Sequence, residues 1–217
     1  MQRVAAAIVI SIAMLVTAAS ARADDTCAAE ATELRTHLET EAGRARRWNV
    51  AWGVLFGAAV VGQLAFAFAE VNPTGGDFDA DAEETLYVGA SKATLAVGSK
   101  IFLPLRIFVP AETGDACADV KVLRLALAEA ARREKRSFWL THLGGTAVNL
   151  AGATILTIRR SFKVGAISFA ISYPVGPASA YTQPRRSWKL HREKITTWSV
   201  GASTTGDGAQ LWFGGQW

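Results

Sequence analysis

The sequence predicts an all-α membrane helical bundle, with about four membrane-embedded helices from two repeated long-helix units, and a small C-terminal β-hairpin. Half of the 217 residues are hydrophobic, and they are concentrated in long stretches without charge. One pattern also occurs twice. Each copy opens with a cysteine (Cys27 or Cys117), continues as an amphipathic segment with a basic run, and ends in an aromatic residue and an apolar, glycine-containing stretch. A duplicated helical unit that is half amphipathic and half membrane-embedded explains this order.

Residues 1–23 have the pattern of a secretory signal peptide. Arg3 supplies the positive start, residues 4–19 form the apolar region, and Ala21-Arg22-Ala23 is a small-residue cleavage site. The alternative is an uncleaved anchor, because residues 4–21 carry no charge and could just span a bilayer. The acidic pair that follows the cleavage site favours processing, and we therefore expect export.

The two cysteines are predicted to form a disulfide. An even cysteine count in an exported chain favours a disulfide, and Cys27 and Cys117 each open one copy of the repeat. They should therefore lie at the same end of two adjacent helices. Closing a loop of ~90 residues would stabilise the fold by about 4–5 kcal/mol in the chain-entropy description. Two buried free thiols are the alternative.

The predicted organisation has a helical membrane domain over residues 24–184, with repeat units 27–109 and 117–182. A basic linker and a hairpin tail follow over residues 185–217. In the first unit the uncharged stretch Trp48–Phe68 is long enough to cross a bilayer core. Gly53 and Gly57 within it have the small-xxx-small spacing that lets helices approach closely. A buried helix of a soluble bundle would be the alternative.

The loop after this stretch is acidic. Asp77, Asp79 and Asp81 alternate as at the start of a calcium loop. However, Ala82 and Val88 stand where such a loop needs a glycine and a bidentate glutamate. We therefore expect a solvated acidic loop and no metal site.

The next apolar segment, Leu86–Val109, carries Lys92, Lys100 and Arg106. Charges at membrane depth usually face a protein interior, face water or snorkel to the interface. We expect this segment to span within the bundle, with a surface helix as the alternative.

The second unit contains a polar face inside its apolar segment, Phe138–Ile158. His142, Gly145, Asn149 and Gly152 are spaced so that they share one helix face. Close helix packing is the expected reason, and the glycines at 53, 57, 145 and 152 are the predicted packing residues. The alternative is a polar intramembrane site or proton relay formed by Lys92, Lys100, His142 and Asn149.

The fourth apolar segment, Phe162–Tyr181, contains Pro174 and Pro177, so its helix is expected to end near Tyr173, with irregular chain beyond. Two short runs around Thr205-Gly206-Asp207-Gly208 predict the terminal hairpin. A whole β-barrel would need alternating segments throughout, which the two amphipathic helices contradict.

The sequence shows no catalytic constellation: no serine elbow, no clustered carboxylates, and three scattered histidines, His37, His142 and His191. We expect a structural or accessory protein of the bacterial cell envelope, without cofactor or nucleic acid. Besides the lipid bilayer, its partner would be another protein or a second copy, bound through the amphipathic helices and the hairpin. The alternatives are a small transporter or channel with a polar path around Lys100, His142 and Asn149, and an intramembrane enzyme with His142 as base.

Orientation presents a conflict. A cleaved signal places both cysteines on the periplasmic side of the inner membrane. That side also carries most of the lysines and arginines, whereas the opposite side carries Arg159, Arg160 and Lys163. The positive-inside rule favours the reverse orientation. We retain the periplasmic placement because the signal and the cysteines both indicate export.

Overall fold

The computed structural model describes the backbone of residues 2–73, 78–195, 198–205 and 208–215, and the side chains of residues 25–73 and 78–193. Up to residue 195 the regular elements of the described chain are all helices, joined by non-helical segments. Its elements are α1 Gln2–Phe68, α2 Ala80–Phe102, α3 Ala116–Arg159, α4 Phe162–Ser172, α5 Val175–Tyr181, α6 Arg186–Ile195, β1 Trp198–Thr205 and β2 Gly208–Gly215.

Three helices begin at short polar side chains that cap them. Asp79 accepts a hydrogen bond from the Ala82 N–H (2.8 Å), and Asp115 accepts one from the Ala118 N–H (3.0 Å). Ser161 caps α4 in the same way. Such caps satisfy backbone donors that a helix start would leave free. In the acidic loop, Asp79 is therefore a helix cap, and the predicted Asp77 lies outside the described residues.

The long helices α1 and α3 lie side by side and are joined by the predicted disulfide, which the structure confirms as Cys27–Cys117. Below it, leucines at helical spacing form the main apolar core. Their side chains are almost completely buried: Leu34, Leu38, Leu123 and Leu127, with Ala130 beside them. The narrow apolar stripe of each amphipathic segment thus packs against the stripe of the other copy.

The prediction of one apolar element from Leu86 to Val109 is wrong beyond Phe102, where α2 ends. Pro104 cannot continue a helix, and the chain from 103 to 110 is not helical. Its side chains alternate, because Leu105 is buried and Ile107 and Val109 pack on the core while Arg106 and Phe108 are exposed. The segment therefore crosses the α1–α3 pair as an extended strap.

The C-terminal part departs from the sequence prediction twice. The helix α4 ends at Ser172, close to the expected Tyr173, but α5 follows where irregular chain was expected. Pro174 fits because it stands at the start of α5, where no backbone donor is needed. Part of the segment predicted as a basic linker, Arg186–Ile195, forms the helix α6. Its Ser187 is fully buried and Leu190 packs against the leucine core, so packing fixes this helix.

The strands β1 and β2 occupy the segment of the predicted hairpin. They pair antiparallel, with Trp198 opposite Gly215 and Thr205 opposite Gly208. The predicted turn residues Gly206 and Asp207 lie outside the described residues.

The long helices divide the described chain into two parts. The head comprises residues 25–47, 103–137 and 183–195, around the disulfide and the leucine core. The apolar half comprises residues 48–68, 80–102 and 138–181. By length and composition, one helix among the described residues could cross a membrane, within Asp25–Phe68, where the apolar window has a mean hydropathy of 1.9.

Candidate functional site

A cavity of about 1260 Å³ lies between α1, α2, α3, α4 and α5. Three of the four residues predicted to form a polar site line it: Lys92, Lys100 and Asn149. Apolar and small side chains form much of the remaining wall. The fold therefore brings polar groups from separate parts of the sequence to one interior space.

Lys92 reaches across the cavity from α2 to α4. Its Nζ donates to the Ser172 hydroxyl (2.9 Å) and lies 3.4 Å from the Ser168 hydroxyl. Within the described residues, it makes no ion pair with a carboxylate. Two neutral hydroxyls thus partner this cation, and its charge is not balanced by the surrounding side chains.

Gly152 makes room for Lys92. A Cβ placed on Gly152 would lie 2.7 Å from Lys92 Cδ and 3.1 Å from Val88 Cγ1. The glycine on α3 therefore allows the lysine stem on α2 to pass between the helices. A residue predicted for packing and a residue predicted for the polar site are thus parts of one arrangement.

Lys100 lies at the end of the cavity nearest the head. Its Nζ is 3.7 Å from the centroid of the Trp48 ring, which is a cation–π contact. Trp48 in turn donates its Nε1–H to the Ser179 carbonyl (3.1 Å). One indole ring therefore links the C-terminal turn of α2 to α5.

Asn149 is buried, and its Nδ2 donates to the carbonyl of Gly145 in its own helix (3.0 Å). A Cβ on Gly145 would lie 3.2 Å from the Cα of Gly176. The backbones of α3 and α5 are therefore in close approach at this point, as small residues permit. The predicted face of α3 is directed toward its neighbours.

His142 lies apart from the other predicted site residues and does not line the cavity. It stacks on Phe138, with ring centroids 6.0 Å apart, and meets Tyr181 edge-on at 6.1 Å. Its Nδ1 is buried, with no hydrogen-bond partner among the described residues. The surroundings of His142 are those of an aromatic packing cluster.

The first pair of predicted packing glycines behaves differently from the second. A Cβ on Gly53 would only touch Lys100 Cβ at 4.0 Å, and one on Gly57 would meet nothing within 4 Å. A tighter contact that the sequence analysis missed involves Gly165, whose added Cβ would lie 2.5 Å from the Ala153 carbonyl oxygen. Gly165 therefore sets the spacing between α3 and α4.

The sequence analysis also missed two buried carboxylates in the head, Glu41 and Glu134. The Glu41 Oε1 accepts a hydrogen bond from Arg44 (2.7 Å). The Glu134 Oε2 accepts from the backbone N–H of Trp188 (2.8 Å) in the first turn of α6. Glu134 thus caps, from α3, a helix start that lacks an acidic residue of its own. Only the three-dimensional placement of α6 could have indicated this role.

Burial is the main reason that the pKa of Glu134 is raised from 4.5 to about 7, and the nearby charge of Glu41 raises it further. Hydrogen bonds from Trp188 and Ser187 oppose this increase. Ser187 also lies 3.3 Å from His37 Nε2. The contact between α3 and α6 therefore contains a group that exchanges its proton near neutral pH.

Among residues 25–73 and 78–193, no group of three or more His, Cys, Asp or Glu side chains could hold a metal ion. No family model, curated protein or solved structure matches the chain.

Proposed function

We propose that this is an integral membrane protein of the bacterial cell envelope with a structural or accessory role. In this proposal the apolar half supplies four membrane-embedded helices, and the head and hairpin bind a protein partner or a second copy on the periplasmic side of the inner membrane. The observation that carries the proposal is the distribution of large apolar side chains, most of which are exposed in the apolar half, whereas the head buries a leucine core.

The outer surface of the apolar half is covered with large apolar side chains from every helix in it. Val61 on α1 is 69% exposed, Tyr87 on α2 is 38% exposed and Ile158 on α3 is 79% exposed. The apolar window of α1 is only 6% buried. A soluble protein rarely exposes so continuous an apolar surface, whereas a lipid bilayer requires one.

The interior of the same half contains many small and polar side chains, beside a few large apolar ones such as Leu86 and Leu156. Gly152, Ser168 and Asn149 are buried there, in contact regions between helices. Membrane helices associate through such small residues, because lipid is as apolar as leucine and gives no hydrophobic reason to bury large side chains. The head shows the opposite arrangement, with leucines inside.

The two ends of the apolar half fit the two faces of a bilayer. At the head end, Trp48 and Trp52 donate hydrogen bonds to Ser179 and Thr182, as amphipathic aromatics do at an interface. At the far end, Arg159 and Arg160 form ion pairs with Glu84. Ion pairs of this kind require contact with water, so they mark the end of the apolar segments.

An accessory role is supported by the surface of the head. Leu125 is 71% exposed on α3, and Val122, one turn earlier, is 42% exposed. They share a helix face that the leucine core does not use. This face is the part of the head that we propose as the partner surface.

Fractionation with thiol labelling tests both embedding and orientation. The protein should stay in the membrane fraction after alkaline carbonate extraction. After reduction in intact cells with a permeable outer membrane, Cys27 and Cys117 should react with an impermeant maleimide. Release by carbonate would contradict membrane embedding, and labelling only after lysis of the inner membrane would contradict the orientation.

The second candidate function is a small transporter or channel-like protein, favoured by the convergence of Lys92, Lys100 and Asn149 on one cavity. His142 takes no part in this version. In a water-filled path, the variant Ser172→Cys should react with an impermeant charged thiol reagent. Ala170→Cys is the matched control, because Ala170 is exposed on the same helix, does not line the cavity and should face lipid. Equal reactivity of the two variants would contradict a path.

A further inference from the structure

We infer that the protein binds an anionic phospholipid in a basic pocket where the head meets the apolar half. The inference rests on the proposed membrane embedding and adds a specific ligand class to it. The pocket has a volume of about 600 Å³ and is formed by α1, the end of α2, the extended strap and α3. Its four cationic residues are Arg46, Lys100, Arg106 and Arg133.

The positive charge of this pocket is not balanced by the chain around it. Among the residues that the structure describes, no aspartate or glutamate lines it. Within the described residues, Arg46 and Arg106 are exposed and form no ion pair, and Lys100 contacts the Trp48 ring. Arg133 alone has a carboxylate partner, Glu129, at 2.7 Å. An anion with several acceptor oxygens, such as a phosphodiester, suits three unpaired cations at one place.

The pocket lies at the depth of lipid headgroups. Asn49 and Val50 line it at the start of the uncharged stretch of α1, and Ile101 lines it in the last turn of α2. Trp48, which is suited to the interfacial region, lies beside Lys100. Basic pockets of this kind between membrane helices bind anionic headgroups.

The walls of the pocket favour a lipid over a soluble phosphate. Val50, Ile101 and Phe108 line it and are 59%, 62% and 70% exposed. They give an apolar surface directly next to the cations. A molecule with an anionic head and acyl chains satisfies both surfaces, whereas inorganic phosphate would leave the apolar one uncovered.

The inference also gives a physical reason for the charge distribution of the sequence. Lysines and arginines accumulate on the disulfide side, against the positive-inside rule. Cations that bind lipid headgroups in a folded pocket have a role in lipid binding, so their number on one side is not set by membrane orientation alone. Arg46 and Arg106 both belong to the first repeat unit but are distant in sequence, and they line one pocket only in the folded protein.

The test measures lipid binding to the full-length protein. The protein would first be inserted into phosphatidylcholine nanodiscs and then extracted into a neutral detergent. Native mass spectrometry would compare the binding of added phosphatidylglycerol with the binding of added phosphatidylcholine. Phosphatidylglycerol should bind preferentially. The double variant Arg46→Gln/Arg106→Gln should bind it about 30-fold more weakly, since each cation near an anionic lipid surface contributes about fivefold.

The control is Lys121→Gln/Lys135→Gln, which removes the same charge from exposed positions of α3 outside the pocket. It should bind phosphatidylglycerol as the parent protein does. Equal binding of the two lipids, equal weakening in both double variants, or displacement of the lipid by millimolar inorganic phosphate would each overturn the lipid site. Failure to insert into phosphatidylcholine bilayers would overturn the proposed membrane function itself, while stable insertion without lipid preference would overturn only this inference.

Discussion

The side-chain amide of Asn49 pairs with both backbone groups of Leu105. Its Nδ2 donates to the Leu105 carbonyl (2.9 Å) and its Oδ1 accepts from the Leu105 N–H (3.2 Å). These are the two bonds that a neighbouring strand would make, so an asparagine on a helix takes the place of a strand partner. Because the Leu105 side chain is buried beside Trp48, this pair attaches the extended strap to α1.

We expect Asn49→Ala to release the strap. Loss of two hydrogen bonds to a largely buried backbone should lower the free energy of unfolding by roughly 2 kcal/mol. The exposed Arg106 lies next to the attachment, so limited trypsin digestion should cut there faster. The control is Val50→Ala, one residue along, whose side chain is mostly exposed. Equal cleavage rates in the two variants would contradict the role of Asn49.

The strap also shows what hydropathy could and could not predict. Residues 103–109 are apolar enough to extend the α2 pattern, and the sequence analysis therefore continued the span through them. The structure ends the helix at Phe102, and Leu105, Ile107 and Val109 then alternate inward. The deciding contacts come from Asn49 and from the core leucines, which are distant in sequence. The alternation of inward and outward side chains covers too few residues to be distinguished, by hydropathy, from a uniformly apolar segment.

Removal of the disulfide should weaken the head. The double variant Cys27→Ser/Cys117→Ser opens a loop with a sequence separation of 90 residues. In the chain-entropy description this lowers stability by about 4–5 kcal/mol. Urea unfolding of the detergent-solubilised protein, monitored with and without reductant, measures the effect. Reductant should destabilise the parent protein and leave the double variant unchanged; an equal response in both would count against the disulfide as the cause.

The disulfide and the paired stripes were predictable because both follow from the repeat. Cys27 and Cys117 occupy equivalent positions, and the leucines recur at helical spacing on each copy. The cavity was predictable only in part. Lys92, Lys100 and Asn149 meet, but His142 does not, because Phe138 and Tyr181 enclose it on the side toward α5. The spacing along one helix predicts which residues share a face. Which of these residues line the cavity depends on how the other helices pack against that face.

Two glycine substitutions should have opposite effects. In Gly165→Ala the new Cβ would be 2.5 Å from the Ala153 carbonyl oxygen and would overlap the Thr157 hydroxyl, so α3 and α4 must separate. We expect a loss of about 1–3 kcal/mol. Gly57→Ala meets nothing within 4 Å and should be neutral or stabilising by up to ~1 kcal/mol through helix propensity. Thermal unfolding in one detergent compares the two, and a larger loss at Gly57 would show that the predicted first packing pair matters after all.

The buried carboxylate of Glu134 should make the stability of the head depend on pH. An unfolded chain releases this proton near pH 4.5, whereas the folded protein keeps it to about pH 7. Between these values the folded state binds more protons than the unfolded state, so stability falls as pH rises.

In Glu134→Gln an amide oxygen still faces the Trp188 N–H, but no charge is ever buried. We expect similar stability of parent and variant near pH 5, and a variant more stable by on the order of 3 kcal/mol above pH 8. The control Glu129→Gln changes a partly exposed carboxylate of the same helix, whose pKa is lowered by the hydrogen bonds it accepts from Arg133 and Arg132, and it should keep the decrease in stability toward high pH. Urea unfolding at both pH values measures these free energies of unfolding. If the stability of Glu134→Gln changed with pH in parallel with that of the parent protein, Glu134 would be ionised in the folded protein throughout this range.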